Sequence, residues 1–590
     1  MPPCVENLLW SSPSGQASLM RWRGLRGAFA LLSLLLLASF CTAASARLPK
    51  ARTQSPAQVP VAGEAIYLNG KLSTSAPLRG ARNYAPDVEG AAAACVNCHR
   101  RSGLGELEGP VLVPPVTARY LYRARGRDWS GNLENAALTM AEPGTRPELL
   151  SQAERSAYTD ATLARAIREG IGADGRTLDY LMPRYRIDDA DMASLIAYLK
   201  QLSRRPSPGV ADDTLQFATV VTPDADPVKR HGMLDVLERF FGKQNVFSAG
   251  KSPSLQPSHR FITNTSRRWQ LHVWELTGAP QSWKAQLEER LKREPVFAVV
   301  SGAGGRTWAP VHEFCEQSHL PCLFPNVDLP VDAEQDFYDV YLSKGVLLEA
   351  ELIAGWLRHP GKTDAPEAAA RRRLVQVYRH GDIGEDAAAE LRRAPRPPAV
   401  EIVDHALEAD ADSSRVQDAA LDVGPGDILV LWLRPGDIRS LPERPPGAAG
   451  IFVSGIMAGL ERAPLALAWR RVARMTYPFD LPDLRRVRMD YPLGWMRFKQ
   501  VPVIEERTQT DTFLACLVTA ETISLVGEDL VRDHLLETLE MHLGTRLVNG
   551  YYPRLGLAAG QRFASKGGYL VRFADDDGAS VVADGDWNVP

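Results

Sequence analysis

Five consecutive residues, Cys95-Val96-Asn97-Cys98-His99, bring two thiols and an imidazole together at a spacing with a definite chemistry. Two thiols separated by two residues can each add to a vinyl group of one porphyrin. A histidine directly after them is then held beneath the ring, where its imidazole can ligate the iron. A thioredoxin-like pair would open a helix after a strand of a βαβ unit, and the alanine run 91–94 does not read as one. A zinc site needs a second Cys/His pair, and none follows within about a hundred residues. The spacing therefore implies one covalent haem c, with Cys95 and Cys98 as attachment points and His99 as proximal iron ligand.

A sixth ligand requires a flexible donor on a loop. Leu181-Met182-Pro183 closes a stretch that also carries Gly170, Gly172 and Gly175. A thioether there would favour reduced iron and raise the potential. Met182 is the first candidate for the distal ligand; filling a core gap is its other reading. Met140 lies in an irregular stretch and stays open as a rival. Met192 sits among Ala193, Leu195 and Ile196 in a helical pattern, which suits core packing.

Haem attachment of this kind takes place outside the cytoplasm, so an export signal is expected. Arg21, Arg23 and Arg26 precede an apolar run from Ala28 to Phe40, and Ala44-Ser45-Ala46 offers a cleavage site. Residues 1–46 therefore read as a signal peptide, with Met20 as the alternative start, and localisation as periplasmic. Lipidation at Cys41 is a weaker reading, because bulky Phe40 precedes it. The apolar run is too short to span a bilayer, and no transmembrane span is expected in the mature chain. Removing a leader with three arginines and one glutamate takes the formal net charge from −3 to −5. Such a mildly acidic balance argues against nucleic acid as a partner.

The elements around the motif read as a small all-α unit. Polar, proline-bearing residues 47–62 form a flexible tether, 63–202 the haem unit and 203–214 a linker. Residues 161–169 and 190–202 have helical periodicity, with Asp188 or Asp189 capping the second. The segments Tyr158 to Ile171, Asp174-Gly175-Arg176, Leu181 to Tyr185 and Asp189 to Leu199 closely resemble class I c-type cytochrome domains. That resemblance implies the loop methionine, Met182, as distal iron ligand. The stretch from motif to methionine is long for the family, so residues from about 126 to 156 are expected to form an extra excursion.

Residues 215–590 alternate apolar strands with amphipathic helices, which predicts parallel sheets covered on both faces and, at this length, two α/β lobes. Ser301 to Gly305 follows a strand end: a tight turn, or backbone amides that hold a small polar ligand. Val299 to Gly304, Phe324 to Pro330 and Tyr341 to Ala354 resemble type I periplasmic binding proteins, the branched-chain amino acid receptors of ABC transporters. The resemblance implies two lobes hinged around a cleft that could take a small molecule. The residues with which those receptors hold an amino acid are not matched.

His312, Cys315, His319 and Cys322 are spaced three, four and three apart. On one continuous helix the outer pair would lie about 15 Å apart, too far for one ion. Pro321 ends the helix, which leaves a Cys315–Cys322 disulfide, buried thiols or a metal site open. Cys516 reads as a buried thiol. His312-Glu313 lacks the second histidine of a zinc protease, and Ser454 lacks a G-x-S-x-G elbow. With no catalytic residue in sight, the expected function is electron transfer by an exported cytochrome rather than enzyme activity. A redox partner protein, a cytochrome or a periplasmic dehydrogenase, is then required. The α/β domain would dock it or sense a metabolite. The alternatives are an ABC-transporter substrate-binding protein with an accessory haem, and a cytochrome subunit of a dehydrogenase.

Overall fold

A computed structural model describes residues 61–108, 111–125, 154–204, 206–249, 267–332, 336–358, 372–546, 549–558, 560–574 and 580–590. The expected signal peptide, Met140 and nearly all of the expected excursion lie outside the described residues. Helix α1 (Val61–Asn69) begins inside the stretch assigned to the tether. Strands β1 (Arg79–Ala81) and β2 (Val88–Glu89) lead to the single turn α2 (Val96–His99). The hairpin β3 (Glu106–Glu108) and β4 (Val111–Val113), α3 (Ala118–Leu121), α4 (Asp160–Glu169), β5 (Arg184–Arg186) and α5 (Asp189–Gln201) complete the haem unit.

Helices α1, α4 and α5 supply its core. At the crossing of α1 and α5 a Cβ on Gly63 would lie 2.2 Å from the Ser194 carbonyl oxygen, so only glycine permits this approach. Tyr67 and Tyr198 pack beside it with ring centroids 5.4 Å apart. Thr159 and Thr162 form a reciprocal capping box on α4. Asp188 caps α5, accepting from Asp191 N at 2.8 Å, while Asp189 pairs with Arg168. The all-helical expectation is incomplete: β2-β1-β5 form an antiparallel sheet. Pro183 biases Met182 away from helix, so the chain leaves the methionine loop as a strand.

The remainder contains two sheets. Strands β6 (Thr214–Val221), β7 (Arg268–Glu275), β8 (Ala298–Val300), β9 (Cys322–Leu323) and β10 (Asp339–Val340) are parallel, in the order β10-β9-β8-β6-β7. Helices α6 (Pro227–Ala249), α7 (Trp283–Arg293) and α8 (Ala309–Gln317) connect the first four. After α9 (Val346–Arg358) come β11 (Arg372–Arg379), α10 (Ile383–Arg393), β12 (Val400–Leu407), α11 (Ser413–Leu421), β13 (Ile428–Trp432), β14 (Gly450–Ser454) and β15 (Ala473–Tyr477). These five strands are parallel in the order β12-β11-β13-β14-β15. Both sheets thus run second, first, third, fourth, fifth, an order whose switch point falls beside the first strand. The central strands β13 and β14 are buried along their whole length, as their nearly continuous apolar runs demand; β15 is equally buried although it carries Arg474 and Thr476, and edge strand β12 is partly exposed along most of its length.

Helices α12 (Pro482–Phe498), α13 (Glu506–Val526) and α14 (Arg532–Leu543) follow, and α13 packs against both α6 and α14. Antiparallel β16 (Tyr569–Phe573) and β17 (Val581–Ala583) then extend the second sheet. The expected linker is docked: Ser207 N donates to Leu530 O at 3.1 Å and its hydroxyl accepts from Arg532 N at 2.9 Å.

Candidate haem-binding site

Cys95 caps α2, and the single turn carries the rest of the motif to a buried His99. Nδ1 of His99 lies 2.9 Å from the Pro114 carbonyl oxygen. A carbonyl can only accept, so Nδ1 carries the proton and Nε2 keeps its lone pair. Burial lowers the imidazole pKa, against the Pro114 bond, and keeps the ring neutral, the form that ligates metals.

Cys95, Cys98, His99 and Met182 all line one cavity of about 1030 Å³, with Leu163, Ile167, Tyr185 and Leu195 among its walls. That volume is at the upper end of the roughly 300–1000 Å³ of ordinary ligand pockets. Arg82, Arg123 and Arg125 also line it, offering cations to a ligand that carries carboxylates. Two thiols, an imidazole with a bare Nε2, a thioether, apolar walls and nearby guanidiniums are a donor set that fits haem c.

Met182 is half-buried and Met192 is buried in the core of the unit, packing with Leu195 and Ile196. The loop around Met182 is gathered by Arg184. Its guanidinium donates to the carbonyls of Met182, Leu178 and Asp179, the last two at 3.2 and 3.4 Å. Neither Arg184 nor Pro114 was legible as a site residue, because both act through backbone carbonyls that sequence does not place.

The motif also rests on the α/β part. Arg100, the residue after His99, adopts φ +64°. Tyr67 donates its hydroxyl to the Arg100 carbonyl at 2.6 Å, and the guanidinium pairs with Glu540 of α14 and with Glu106 at 3.3 Å. Ser102 donates through N and Oγ to the two carboxylate oxygens of Glu537, at 3.0 and 2.5 Å. Glu540 is shared with Arg562 at 2.5 Å, and Arg101 and Arg562 both stack on Phe337. Glu537 and Glu540 are two of several polar residues on Arg532–Leu543, and nothing in that pattern singled them out for this junction.

The loop Ser301 to Gly305 sits at the switch point of the first sheet, beside the end of β6. Its amides are engaged: Ala303 N donates to Val220 O at 2.9 Å and Gly305 N to the Thr222 hydroxyl at 3.1 Å. A Cβ on Gly305 would lie 2.3 Å from the Asp224 carboxyl carbon. Ser301 is buried and accepts from Asn326 Nδ2 at 2.8 Å. This is the tight-turn arrangement. A nearby cleft lined by Asn326, Asp328, Ile456, Phe479, Arg507, Asp511 and Tyr552 has a volume of about 20 Å³, room for about one water. Asp328 pairs there with Lys229 at 2.8 Å and Arg507 at 2.7 Å. Burial would raise its pKa, but the two cations outweigh it and hold the carboxyl well below the ordinary value. Asp511 goes the other way: burial, partly opposed by Arg507, pushes it up to about 7.

The four residues at spacings of three, four and three separate in space. His312, Cys315 and Cys322 turn inward and are buried, whereas His319 is exposed and stacks on Tyr338. Cys315 and Cys322 are adjacent free thiols. Cys516 is buried in the core around α13.

The cytochrome c family matches over residues 89–203. Residues 89–203 resemble cytochrome c. No curated protein matches the chain. Among solved structures, the chain is similar to a fatty acid ABC transporter substrate-binding protein from Thermomonospora curvata, with 14% identity over 65% of this chain and 95% of that one and a TM-score of 0.47. A substrate-binding periplasmic protein from Ralstonia solanacearum has 14% identity, 63% and 100% coverage and a TM-score of 0.45. A branched-chain amino acid ABC transporter protein from Thermus thermophilus with bound valine has 11% identity, 64% and 97% coverage and a TM-score of 0.43. No helix among the described residues is long and apolar enough to cross a membrane.

Proposed function

We propose that this chain is an exported, non-enzymatic electron carrier with one covalently bound haem c, whose α/β part docks a redox partner. The observation that carries the reading is the convergence of Cys95, Cys98, His99 and Met182 on one large, mostly apolar cavity. When bound, haem c supplies an iron that takes up and gives back a single electron. The chain's own residues do the rest. Cys95 and Cys98 anchor, and His99 is oriented by Pro114 so that only Nε2 is available to the metal. Met182 offers its thioether from a loop held by Arg184, and the apolar walls exclude water.

The α/β part is read as a dock because it holds the haem motif directly, through Glu537 and Glu540, while its own cleft is filled by paired charges. A redox protein, a cytochrome or a periplasmic dehydrogenase, is the partner this chemistry requires. The test is a spectrum of the purified full chain. The expected result is a reduced c-type spectrum that survives denaturation and acid–acetone extraction, and a methionine-to-iron band in the oxidised protein that Met182→Ala removes. Extractable haem, or none, would sink the reading. An unchanged band in Met182→Ala would remove Met182 from it.

One observation favours a second reading, metabolite sensing. Asp511 lines the cleft, is buried, and its Oδ1 has no hydrogen-bond partner, which suits a ligand that carries a cation; with room for about one water, the cleft would have to open to admit it. Screening amino acids and amines by thermal shift separates the two. A concentration-dependent rise in melting temperature that Asp511→Asn abolishes would establish sensing, and no response to any of them would leave docking alone.

A further inference from the structure

The side chains of Cys315, Cys322 and Asp339 meet in the interior of the first lobe, on the far side of the sequence from the haem motif. Their sulfur and oxygen atoms all lie within 4.8 Å of one another, and all three residues are fully buried. The topology explains the meeting. Helix α8 ends at Gln317, Leu320 N turns back onto Cys315 O at 2.9 Å, and the chain enters β9 under its own helix. Parallel pairing then sets Asp339 of β10 in register with Cys322, so both side chains point to the face that α8 covers.

Several features of the cluster go beyond packing. Neither carboxylate oxygen of Asp339 accepts from a nitrogen or hydroxyl donor, although the residue is completely buried; its neighbour is the Cys322 thiol. Native proteins rarely leave a buried carboxyl in that state. Beside it, His312 is already arranged as ligating histidines are: Nε2 lies 2.9 Å from the Asp336 carboxylate, which fixes the ring, while Nδ1 faces Asp339 Oδ1 at 3.6 Å and Tyr341 Oη at 2.9 Å. Glu316 is committed elsewhere, accepting from the backbone N–H groups of Phe337, Tyr338 and Asp339 and thereby fixing the strand that carries Asp339.

We propose that Cys315, Cys322 and Asp339, completed by Nδ1 of His312, bind a thiophilic divalent cation, of which zinc is the test case. Two thiolates select a soft or borderline ion over magnesium or calcium. Four protein donors and no solvent-facing position describe a structural site rather than a catalytic one. Tetrahedral bonds of about 2.0–2.3 Å hold ligand atoms roughly 3.3–3.8 Å apart, so Cys315, Cys322 and Asp339 need only a small contraction to close on an ion. His312 Nδ1, within reach of Asp339 but outside that three-residue group, would have to leave the Tyr341 hydroxyl and move toward the sulfurs to complete it. A divalent ion offsets two of the three negative charges that two thiolates and the Asp339 carboxylate would bring, leaving the site at −1. The ion would brace residues 336–341, the segment whose Asp336 carbonyl also accepts from Arg562, the arginine that shares Glu540 with Arg100 of the haem motif.

The experiment uses the full chain, reduced, given two equivalents of zinc and dialysed. The expected result is one zinc retained per chain, with X-ray absorption at the zinc edge showing two sulfur neighbours at about 2.3 Å. Cys322→Ser should lower retained zinc at least tenfold. His319→Ala, which alters an exposed residue outside the cluster, should leave it unchanged, and circular dichroism checks that both variants fold. The absorption measurement on the unmutated chain needs no variant and stands if Cys322→Ser fails to fold. No retained zinc, bound zinc without sulfur, loss of zinc in His319→Ala, or a Cys315–Cys322 disulfide in peptide maps of the protein as isolated would each overturn the proposal.

Discussion

The cavity under Cys95–His99 and the cleft near the first sheet's switch point differ in volume by a factor of about fifty, 1030 against 20 Å³, and in chemistry by as much. The first is walled largely by side chains such as Leu163, Ile167 and Leu195, with donors that have no use unless something is bound between them. The second is filled by its own ions: Asp328 is already neutralised by Lys229 and Arg507, and Arg507 also stacks on Phe479. A site shaped for a cofactor keeps its wanted groups apart; a site that has become scaffold lets them find one another. The strand order of an α/β lobe predicts where a cleft will be, and the side chains decide whether anything enters it.

The strongest way to break that contrast is to remove the cleft's central cation. Arg507→Ala leaves Asp328 with Lys229 alone and strips Asp511 of the cation that opposes its burial. Breaking a buried pair in this way costs about 3–5 kcal/mol. The melting temperature of the α/β part should fall by many degrees, while the visible spectrum at temperatures below the transition stays as in the wild type. An equal loss of haem signal would mean the two regions are one unit energetically. An unchanged melting temperature would mean that the cleft charges are not structural.

Acidity tests the same cleft more gently. Asp511 is pushed up to about 7 by burial, and so is Glu349, which accepts from Ile456 N beneath the cleft and from Ser454. Both folded values lie above the ordinary carboxyl range, so the folded state favours the protonated form. Each group's stabilising contribution is complete below about pH 4 and is lost as pH rises through about 7, a change of about 4 kcal/mol for Asp511 and about 3 kcal/mol for Glu349. Asp511→Asn should therefore gain on the wild type as pH rises, by about 2 kcal/mol in all between pH 5 and 7, the slope falling by about half as the folded carboxyl reaches its midpoint. Denaturation curves at those two values check it, and a gap that does not widen would contradict the protonated-carboxyl reading.

The junction between the regions should respond by less. Ser102 and Glu537 exchange two hydrogen bonds across it, one of them from a backbone amide that survives mutation of the serine. A cycle of Ser102→Ala, Glu537→Gln and the double variant should give a coupling of about 1–2 kcal/mol, measured as stability of the haem unit. Zero coupling would make the contact incidental and weaken the docking proposal, which depends on α14 supporting the motif.

Much of the haem site could be read from sequence because its chemistry is local: one pentapeptide, one Met-Pro loop and two helices whose apolar residues repeat at helical spacing. Most α/β strands up to β14 were legible because central parallel strands are largely apolar runs, while the two-residue β10 was too short to show. What sequence concealed were the groups defined by meeting across the fold. Pro114 offers only a carbonyl, Arg184 acts on its own loop, and Glu537 reaches Ser102 across 435 positions. The short strands β1, β2 and β5, two or three residues each, carry too few residues to show a period of two, which is why the unit read as wholly helical. His319 shared the spacing of its neighbours but turns outward, at φ +46°, and Asp339, seventeen residues beyond Cys322, takes the inward place in the cluster.

The smallest expected effect separates two methionines ten residues apart. Met192 is 3% exposed and packs with Leu195 and Ile196, so Met192→Leu keeps volume and apolar character and should cost less than about 1.5 kcal/mol. Met182→Leu has nearly the same change in volume and chemistry, at a half-buried loop position that faces the cavity. Its cost in stability should be equally small, yet it removes a thioether that leucine cannot replace. The pair therefore holds packing constant and varies only the sulfur. If Met192→Leu alone changes the oxidised spectrum, the distal assignment moves into the helix. If only Met182→Leu does so, the large cavity owes its sixth donor to the loop that Arg184 holds in place.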